Sequence, residues 1–442
     1  MPPPMQHSHE VLDRPGGFAR GGLLSPLRHR DFRVLWAGMA VSLLGDGIFL
    51  IAVAWESYSL WNTPAAMSVV GIGMTVPTVV FLLVGGVLSD RHDRRRLMIG
   101  ADVLRALAVG CIAVLVFAEA LRLWELVALV ALYGAGTAFF TPAFEAIVPE
   151  LLPTQDLPAA NSLDQFVRPI ALRLAGPLLG GALVAAGAGV AFAVDAASFG
   201  VSAVAVLVMR SAHPLGTEVR ASHLGAVREG LDFIRRRVWL WGTLVAAAAA
   251  YLVFLGPSEV LLPFVVKNEL HASANTLGLV LAAGGLGAVA GALWMARQGH
   301  PRRDITVMYF TWTVATLAVA GYGLATAAWQ LMLACLIFNA LEAAGTIVWA
   351  TVKQRHVPSA MLGRVSSLDW LISIGLLPIS FALTAPVAGV FGARSTLVGA
   401  GVLGAAITLA ALFLPGMRAV EGIDVARKGT GLGPNRPVPS AN

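Results

Sequence analysis

Three carboxylic acids stand where a carboxylate is hard to place. Asp46, Glu259 and Glu342 each interrupt a long apolar run. An ionised group at the centre of a bilayer costs on the order of 3 kcal/mol on insertion scales, so it persists where it has a task. A protonatable acid facing a cavity can carry a proton, and it can equally attract a cationic ligand. Asp46 and Glu342 lie near the middle of their runs. Glu259 lies nearer one end of its run, where reaching the membrane interface is the alternative. These three are the candidate proton- or substrate-binding residues.

Other buried charges read as structural. Asp102 and Arg105 are three residues apart, so on a helix they share a face and can neutralise each other. Glu145 is expected to be approached by Arg168 or Arg173, and Asp195 to cap or hydrogen-bond near a helix end.

The elements that hold these residues follow from composition. Hydrophobic residues make up 57% of the 442-residue chain and charged residues 13%, about half the usual charged share. Mean hydropathy is +0.75. A bilayer core needs roughly 20 apolar residues per helix, and its backbone must be hydrogen-bonded internally. The apolar runs are too long and too poor in alternation for barrel strands. They predict spans at 31–57, 66–89, 97–118, 123–145, 163–187 and 190–209. A second set follows at 239–265, 275–296, 305–324, 328–352, 366–390 and 394–415. The predicted fold is an all-helical membrane protein of twelve helices in two pseudo-symmetric six-helix halves.

Charge orients the spans. Arg28, Arg30, Arg33, Arg91, Arg94 to Arg96, Arg210 and Arg235 to Arg237 fall on one side, followed by Arg302, Arg303, Lys353, Arg355, Arg364 and Arg418. The opposite loops hold Arg122, Lys267 and Arg394. The positive-inside rule makes the first side cytoplasmic, with both termini there, in the cell (inner) membrane. The net charge of +6 is thereby explained without nucleic acid. The expected units are a tail over 1–30, halves over 31–209 and 239–415, a linker over 210–238 and a tail over 416–442. Leu224 to Phe233 in the linker is amphipathic, and reads as a helix on the inner leaflet or as a solvated connector. Trp55, Tyr58, Trp61, Trp124 and Trp329 cluster at outer span ends, where aromatic residues anchor at the interface, with lining a cavity as the alternative for Trp55.

The halves repeat each other. Pro153, Leu157, Ser162, Leu163 and Asp164 recur 205 residues later as Pro358, Leu362, Ser367, Leu368 and Asp369. Gly86 and Leu88 recur as Gly291 and Leu293 at the same offset. Parallel repeats of this kind place a substrate site between the halves, near the midplane.

Two motifs add mechanical detail. The loop Gly86-Val87-Leu88-Ser89-Asp90-Arg91-His92-Asp93-Arg94-Arg95-Arg96 follows span two. Its glycine permits close helix approach, and Asp90 can pair with an arginine or a helix N-terminus in one conformation and part in another. Its other reading is a positive-inside loop without mechanical role. Gly176-Pro177-Leu178-Leu179-Gly180-Gly181 lies in span five. Proline bends a helix there, and Gly176, Gly180 and Gly181 admit a neighbouring backbone.

The first loop resembles the cytoplasmic signature of the major facilitator superfamily, G-x-L-x-D-R-x-G-R-R. Gly86, Leu88, Asp90, Arg91, Arg94 and Arg95 match it, and Asp93 stands where the family usually has glycine. In the second half Met295 replaces the aspartate. The span-five motif resembles G-P-x-x-G-G of the family's drug–proton antiporters, with Leu172 replacing an upstream glycine. Leu44-Gly45-Asp46-Gly47, Thr141-Pro142-Ala143, Ala160-Asn161-Ser162 and Asp195-Ala196-Ala197-Ser198-Phe199 resemble the exporters of enterobactin and of macrolides. The resemblance implies a proton-coupled exporter of bulky, partly apolar compounds, acting as a monomer on a small-molecule substrate and protons. It implies a gate at the Asp90 loop that stabilises the outward-open state, and no cofactor.

Alternatives on the same fold are an uptake transporter or a lysolipid flippase. A membrane enzyme or sensor is the reading of another class. No G-x-x-x-x-G-K-[ST] loop is present, and the longest polar stretch is the central linker. Cys111 and Cys335 lie inside apolar runs, so neither a disulfide nor a metal site is expected, and His7 and His9 sit in a polar tail.

Overall fold

The computed structural model describes residues 24–210, 223–298, 301 and 303–421. Both tails beyond these limits, with His7 and His9, and residues 211–222 of the linker lie outside the described residues.

Among the described residues, twelve helices are long and apolar enough to cross a membrane. The first six are Arg30–Leu60, Pro64–Arg91, Arg94–Phe117, Leu123–Leu151, Thr154–Ala186 and Ala188–Val208. The second six are Val238–Glu269, Ala274–Gln298, Asp304–Leu324, Ala328–His356, Met361–Phe391 and Ala393–Ala411. They are spans one to twelve below. Spans one, five and seven extend further than composition predicts, because helix continues past the apolar run into polar ends. The clearest case is span five, helical from Leu157 although polar residues crowd its start.

Local chemistry sets the joints. Pro64 opens span two in its first turn, where a missing amide is harmless. Asp93 caps span three, its carboxylate accepting the Arg95 amide at 2.9 Å. Where the family signature has glycine, this chain therefore has a favourable N-cap. Gly187 (φ 149°) joins spans five and six, and Gly392 (φ 82°) joins spans eleven and twelve. Both take a backbone that side chains disfavour, and they stand 205 residues apart. Span five is interrupted by a π segment, Ile170–Ala175. The same offset leads to Gly375, where the helix Ser359–Gly375 gives way to Leu377–Phe391. The repeat seen in sequence is thus also a repeat of irregular backbone.

The two ends of the bundle differ. We call them the arginine-rich face and the far face. Toward the far face one core draws on both halves, including Phe49, Tyr58 and Leu126 from the first and Phe254, Val260 and Phe381 from the second. Toward the arginine-rich face the cores separate. One holds Leu35, Met98, Ile147 and Val206 of the first half, and another holds Trp239, Ile305, Val352 and Val365 of the second. The halves are sealed at the far face and parted at the other.

Tyr58 contributes to that seal. It is buried, not an interface anchor, and its hydroxyl donates to the Val260 carbonyl in the opposite half. Trp61, Trp124 and Trp329 are exposed, as membrane-interface anchoring requires. The linker helix His223–Arg235 docks on the second half. Arg364 pairs with Glu229, and Ile234 is buried in the second-half core. It is therefore a packed helix, not a solvated connector.

Candidate functional site

At the midplane the halves meet through span five. Arg173 lies in the π segment, and its side chain reaches span ten. Its Nη1 donates to Asn339 Oδ1 at 3.0 Å and stands 3.9 Å from a Glu342 carboxylate oxygen. Thr346 Oγ1 donates to the other oxygen of Glu342 at 3.0 Å. The Arg173 side chain remains 50% exposed and Glu342 26% exposed, so the pair lies in the cleft and not in the core. Glu259 is within electrostatic reach of the same guanidinium. Its side chain is exposed. Arg173 is the residue that the sequence reading missed, having been assigned to Glu145. Its signal was available: an arginine deep in an apolar helix needs a counter-ion somewhere. Arg168 bonds Asp164 one turn earlier at 3.3 Å and also acts on Glu145, as expected for one of the two arginines.

Glu342 lines an open pocket among spans seven, nine, ten and twelve. Tyr251, Phe254, Trp312 and Phe338 supply its aromatic wall. Phe254 meets Tyr251 and Phe338 edge-on, with centroids 5.6 and 5.9 Å apart. A wall of this kind accepts flat or branched apolar surface, and the single acid orients a polar group.

Asp46 is elsewhere, in the first half, and does not join Glu342 in one site. Tyr133 Oη donates to Asp46 Oδ1 at 2.7 Å, and its ring stacks on Phe49 at 4.5 Å. Asp102 and Arg105 form a buried ion pair. The Arg105 guanidinium is sandwiched between the rings of Phe140 and Phe199, 4.5 and 4.3 Å from their centroids. Asp195 is fully buried inside span six, not at its end.

The signature loop is split by the structure. The Asp90 and Arg91 side chains lie outside the described residues. Gly86 has open space around its α-carbon, and Leu88 is half-buried. Arg94 pairs with Glu150 and donates to the Ala146 carbonyl at 3.2 Å, tying span three to span four. Arg95 donates to the Val206 and Leu207 carbonyls at 3.1 and 3.2 Å, at the C-terminus of span six. Both arginines staple the first half to itself.

The span-five glycines fit helix packing on two sides. A Cβ on Gly176 would lie 2.6 Å from Gly47 Cα, and one on Gly180 3.0 Å from Ile48 Cα, both in span one. A Cβ on Gly181 would lie 3.2 Å from Gly278 Cα in span eight, across the divide between halves. Pro177 follows Gly176 at the restart of the regular helix. Span five is thus held against both halves by residues without side chains.

The profile of the transmembrane secretion effector family matches residues 21–430. Macrolide efflux protein A of Streptococcus pyogenes is 24% identical over 401 residues, covering 89% of this chain and 97% of that protein. The enterobactin exporter of Citrobacter koseri is 28% identical over 352 residues, covering 77% and 81%. The nucleoside transporter NupG superposes with a TM-score of 0.66 at 10% identity, over 86% of this chain and 98% of that one. A bacterial homologue of the iron transporter ferroportin, in an inward-facing state, gives 0.63 at 16% identity, over 86% and 98%. Those superpositions carry the fold alone; the profile match carries the family. The chain is a multi-pass membrane transporter of the major facilitator type, and it belongs to the transmembrane secretion effector family.

Proposed function

We propose that this protein exports a small, partly apolar molecule by alternating access, driven by the proton gradient. The observation that carries the reading is the Arg173–Glu342 pair. It joins span five of the first half to span ten of the second, and its Glu342 lines the aromatic pocket. Substrate entering the cleft competes for one partner or the other and loosens a contact between halves. A ligand shifts a conformational equilibrium only by differential contact with its two states, and a cross-half pair supplies such contact.

In this reading the arginine-rich face is cytoplasmic and the present conformation is inward-open. The protein sits in the cell membrane with both termini inside. Closure of the cytoplasmic side would bring the Gly86–Arg95 loop toward the second half, where Asp90 would latch the outward-open state. Return is driven by protons on Asp46, with Glu342 and Glu259 holding substrate or proton in the cleft. One charge crossing 100 mV releases about 2.3 kcal/mol, sufficient to drive a substrate uphill. Support for export comes from the relatives, one described as an efflux protein and one as an exporter.

The test is accumulation of a panel of dyes and antibiotics in cells expressing the protein, with and without a protonophore. Reduced accumulation that the protonophore abolishes is expected. Reduced accumulation that survives the protonophore would remove proton coupling, and raised accumulation would reverse the direction.

A further inference from the structure

Two of the motifs singled out in the sequence meet in space. Gly45 packs directly on Asp195 and Ser198, and a Cβ at position 45 would lie 2.8 Å from Ser198 Cβ. Glycine there lets the Asp195 side chain lie beside the segment that carries Asp46. Asp195 Oδ1 accepts from Ser198 Oγ at 3.3 Å, while its Oδ2 has no hydrogen-bond partner among the described residues. Asp195 is 0% exposed, and Asp46 is the partly exposed member of the group.

The charge balance of the surroundings is uneven. Span one supplies Asp46, span three Asp102 and Arg105, span four Tyr133, and span six Asp195, Ser198 and Ser202. Arg168 of span five acts on Asp46 from further away. Among the described residues Arg105 is the single buried cation for three carboxyl groups, and it is already paired with Asp102. Asp46 and Asp195 both lie about Tyr133, which bonds Asp46 and meets Phe199, one turn on from Asp195, edge-on at 6.0 Å. Two neighbouring carboxyl groups hold a proton between them more firmly than either would alone, and Asp195 has no water of its own to offset a charge, whereas Asp46 is partly exposed.

We propose that Asp46 and Asp195 form one proton-holding site, walled into the first half and opening to the cleft through Asp46. The bound proton forms an O–H bond to one carboxyl group and leaves the other as carboxylate. Release passes it from the Asp46 side to water and leaves both groups ionised, stabilised by Tyr133, Ser198 and Arg105. No electron transfer or second reactant is required. Asp195 thereby becomes a working residue and not a helix cap. This inference rests on the proton-coupled reading above and names a second member of its proton site.

Infrared titration of the purified full-length protein in lipid nanodiscs tests it without a transported substrate. The readout is the carbonyl band of protonated carboxyl groups, followed from acid to alkaline pH. Asp195→Asn should remove part of that band and move the midpoint of the remainder to lower pH by on the order of one unit, the neighbouring negative charge being gone. Ser198→Ala, which keeps the helix, should move the midpoint upward by a smaller amount, because the ionised form loses a donor. The pair of variants also covers the case in which Asp195→Asn does not fold. An unchanged band and midpoint in either folded variant would overturn the proposal. So would a band that collapses at fixed pH when choline is replaced by sodium, since the site would then hold a metal cation. Protonophore-insensitive export with the titration intact would fail the transport reading alone. Protonophore-sensitive export with an unchanged titration would fail this site alone.

Discussion

The two halves use equivalent places differently. Across the 205-residue offset Asp46 corresponds to Tyr251, Phe49 to Phe254 and Tyr133 to Phe338. In the first half these positions build a packed acid network, with Tyr133 bonded to Asp46 and stacked on Phe49. In the second half the same positions line the open aromatic pocket. The rest of the network diverges in step: Arg105 corresponds to Phe310, Asp102 to Val307 and Asp195 to Ala400. A duplicated scaffold has kept its aromatic frame and placed the charge on one side and the cavity on the other. On this account the first half handles the proton, and the second half the substrate.

A second contrast lies at the arginine-rich face. Glu150, at the end of span four, corresponds to Arg355 at the end of span ten. Glu150 pairs with Arg94 at the start of span three, and Arg355 with Asp304 at the start of span nine, at 3.3 Å. Each half therefore keeps a staple between its third and fourth helices, with the signs exchanged. What is retained is the attraction, not the residue type.

The largest expected effect falls on the sealed network. Asp102→Asn leaves a buried guanidinium without its counter-ion and should destabilise the fold by about 3–5 kcal/mol. Thermal unfolding of the purified protein reads this. A loss below 1 kcal/mol would mean that the network is wetter than its burial indicates, and would blur the contrast between halves.

Next comes the seal. Gly181→Leu pushes side-chain volume into span eight and should weaken far-face closure by about 1–3 kcal/mol. In a background lacking Cys111 and Cys335, a cysteine replacing Ala274, which is buried against Gly181, should then label faster with an impermeant maleimide. Unchanged labelling would separate this contact from closure.

Smaller is the midplane pair. Arg173→Ala and Glu342→Ala should each impair transport. The charge exchange Arg173→Glu with Glu342→Arg should recover part of it, with a coupling of about 1 kcal/mol for a partly exposed pair. Independent, additive losses would remove the pair from the transport cycle. Smallest are the inverted staples. Arg94→Ala and Arg355→Ala should each cost under about 1 kcal/mol in unfolding measurements. Exchanging Arg94 and Glu150 should be nearly neutral, whereas reversing one member of either pair should not.

Much of this organisation was legible from the residues. Span count follows from apolar length, and the Asp102–Arg105 pair from a three-residue spacing on one helix. Pairings between helices were not legible. These spans are apolar nearly all round, so local pattern does not fix their rotation, and rotation decides what each polar residue meets. Arg173 therefore looked like a neighbour of Glu145 but reaches Glu342, and Asp195 looked terminal but lies against Gly45. Asp93 was a local signal, since an aspartate just before a helix is a common cap. The seal at Tyr58 depends on Val260, in the opposite half, which no local signal could supply.

The most direct test of the divided account compares exchange with driven transport in proteoliposomes, using a compound identified by the accumulation assay. Exchange of labelled for unlabelled compound needs the substrate site alone, whereas driven transport also needs the proton site. Asp46→Asn should retain exchange and lose pH-driven transport, and Glu342→Gln should lose both. Loss of exchange in Asp46→Asn, or full driven transport in Glu342→Gln, would contradict the division between the halves.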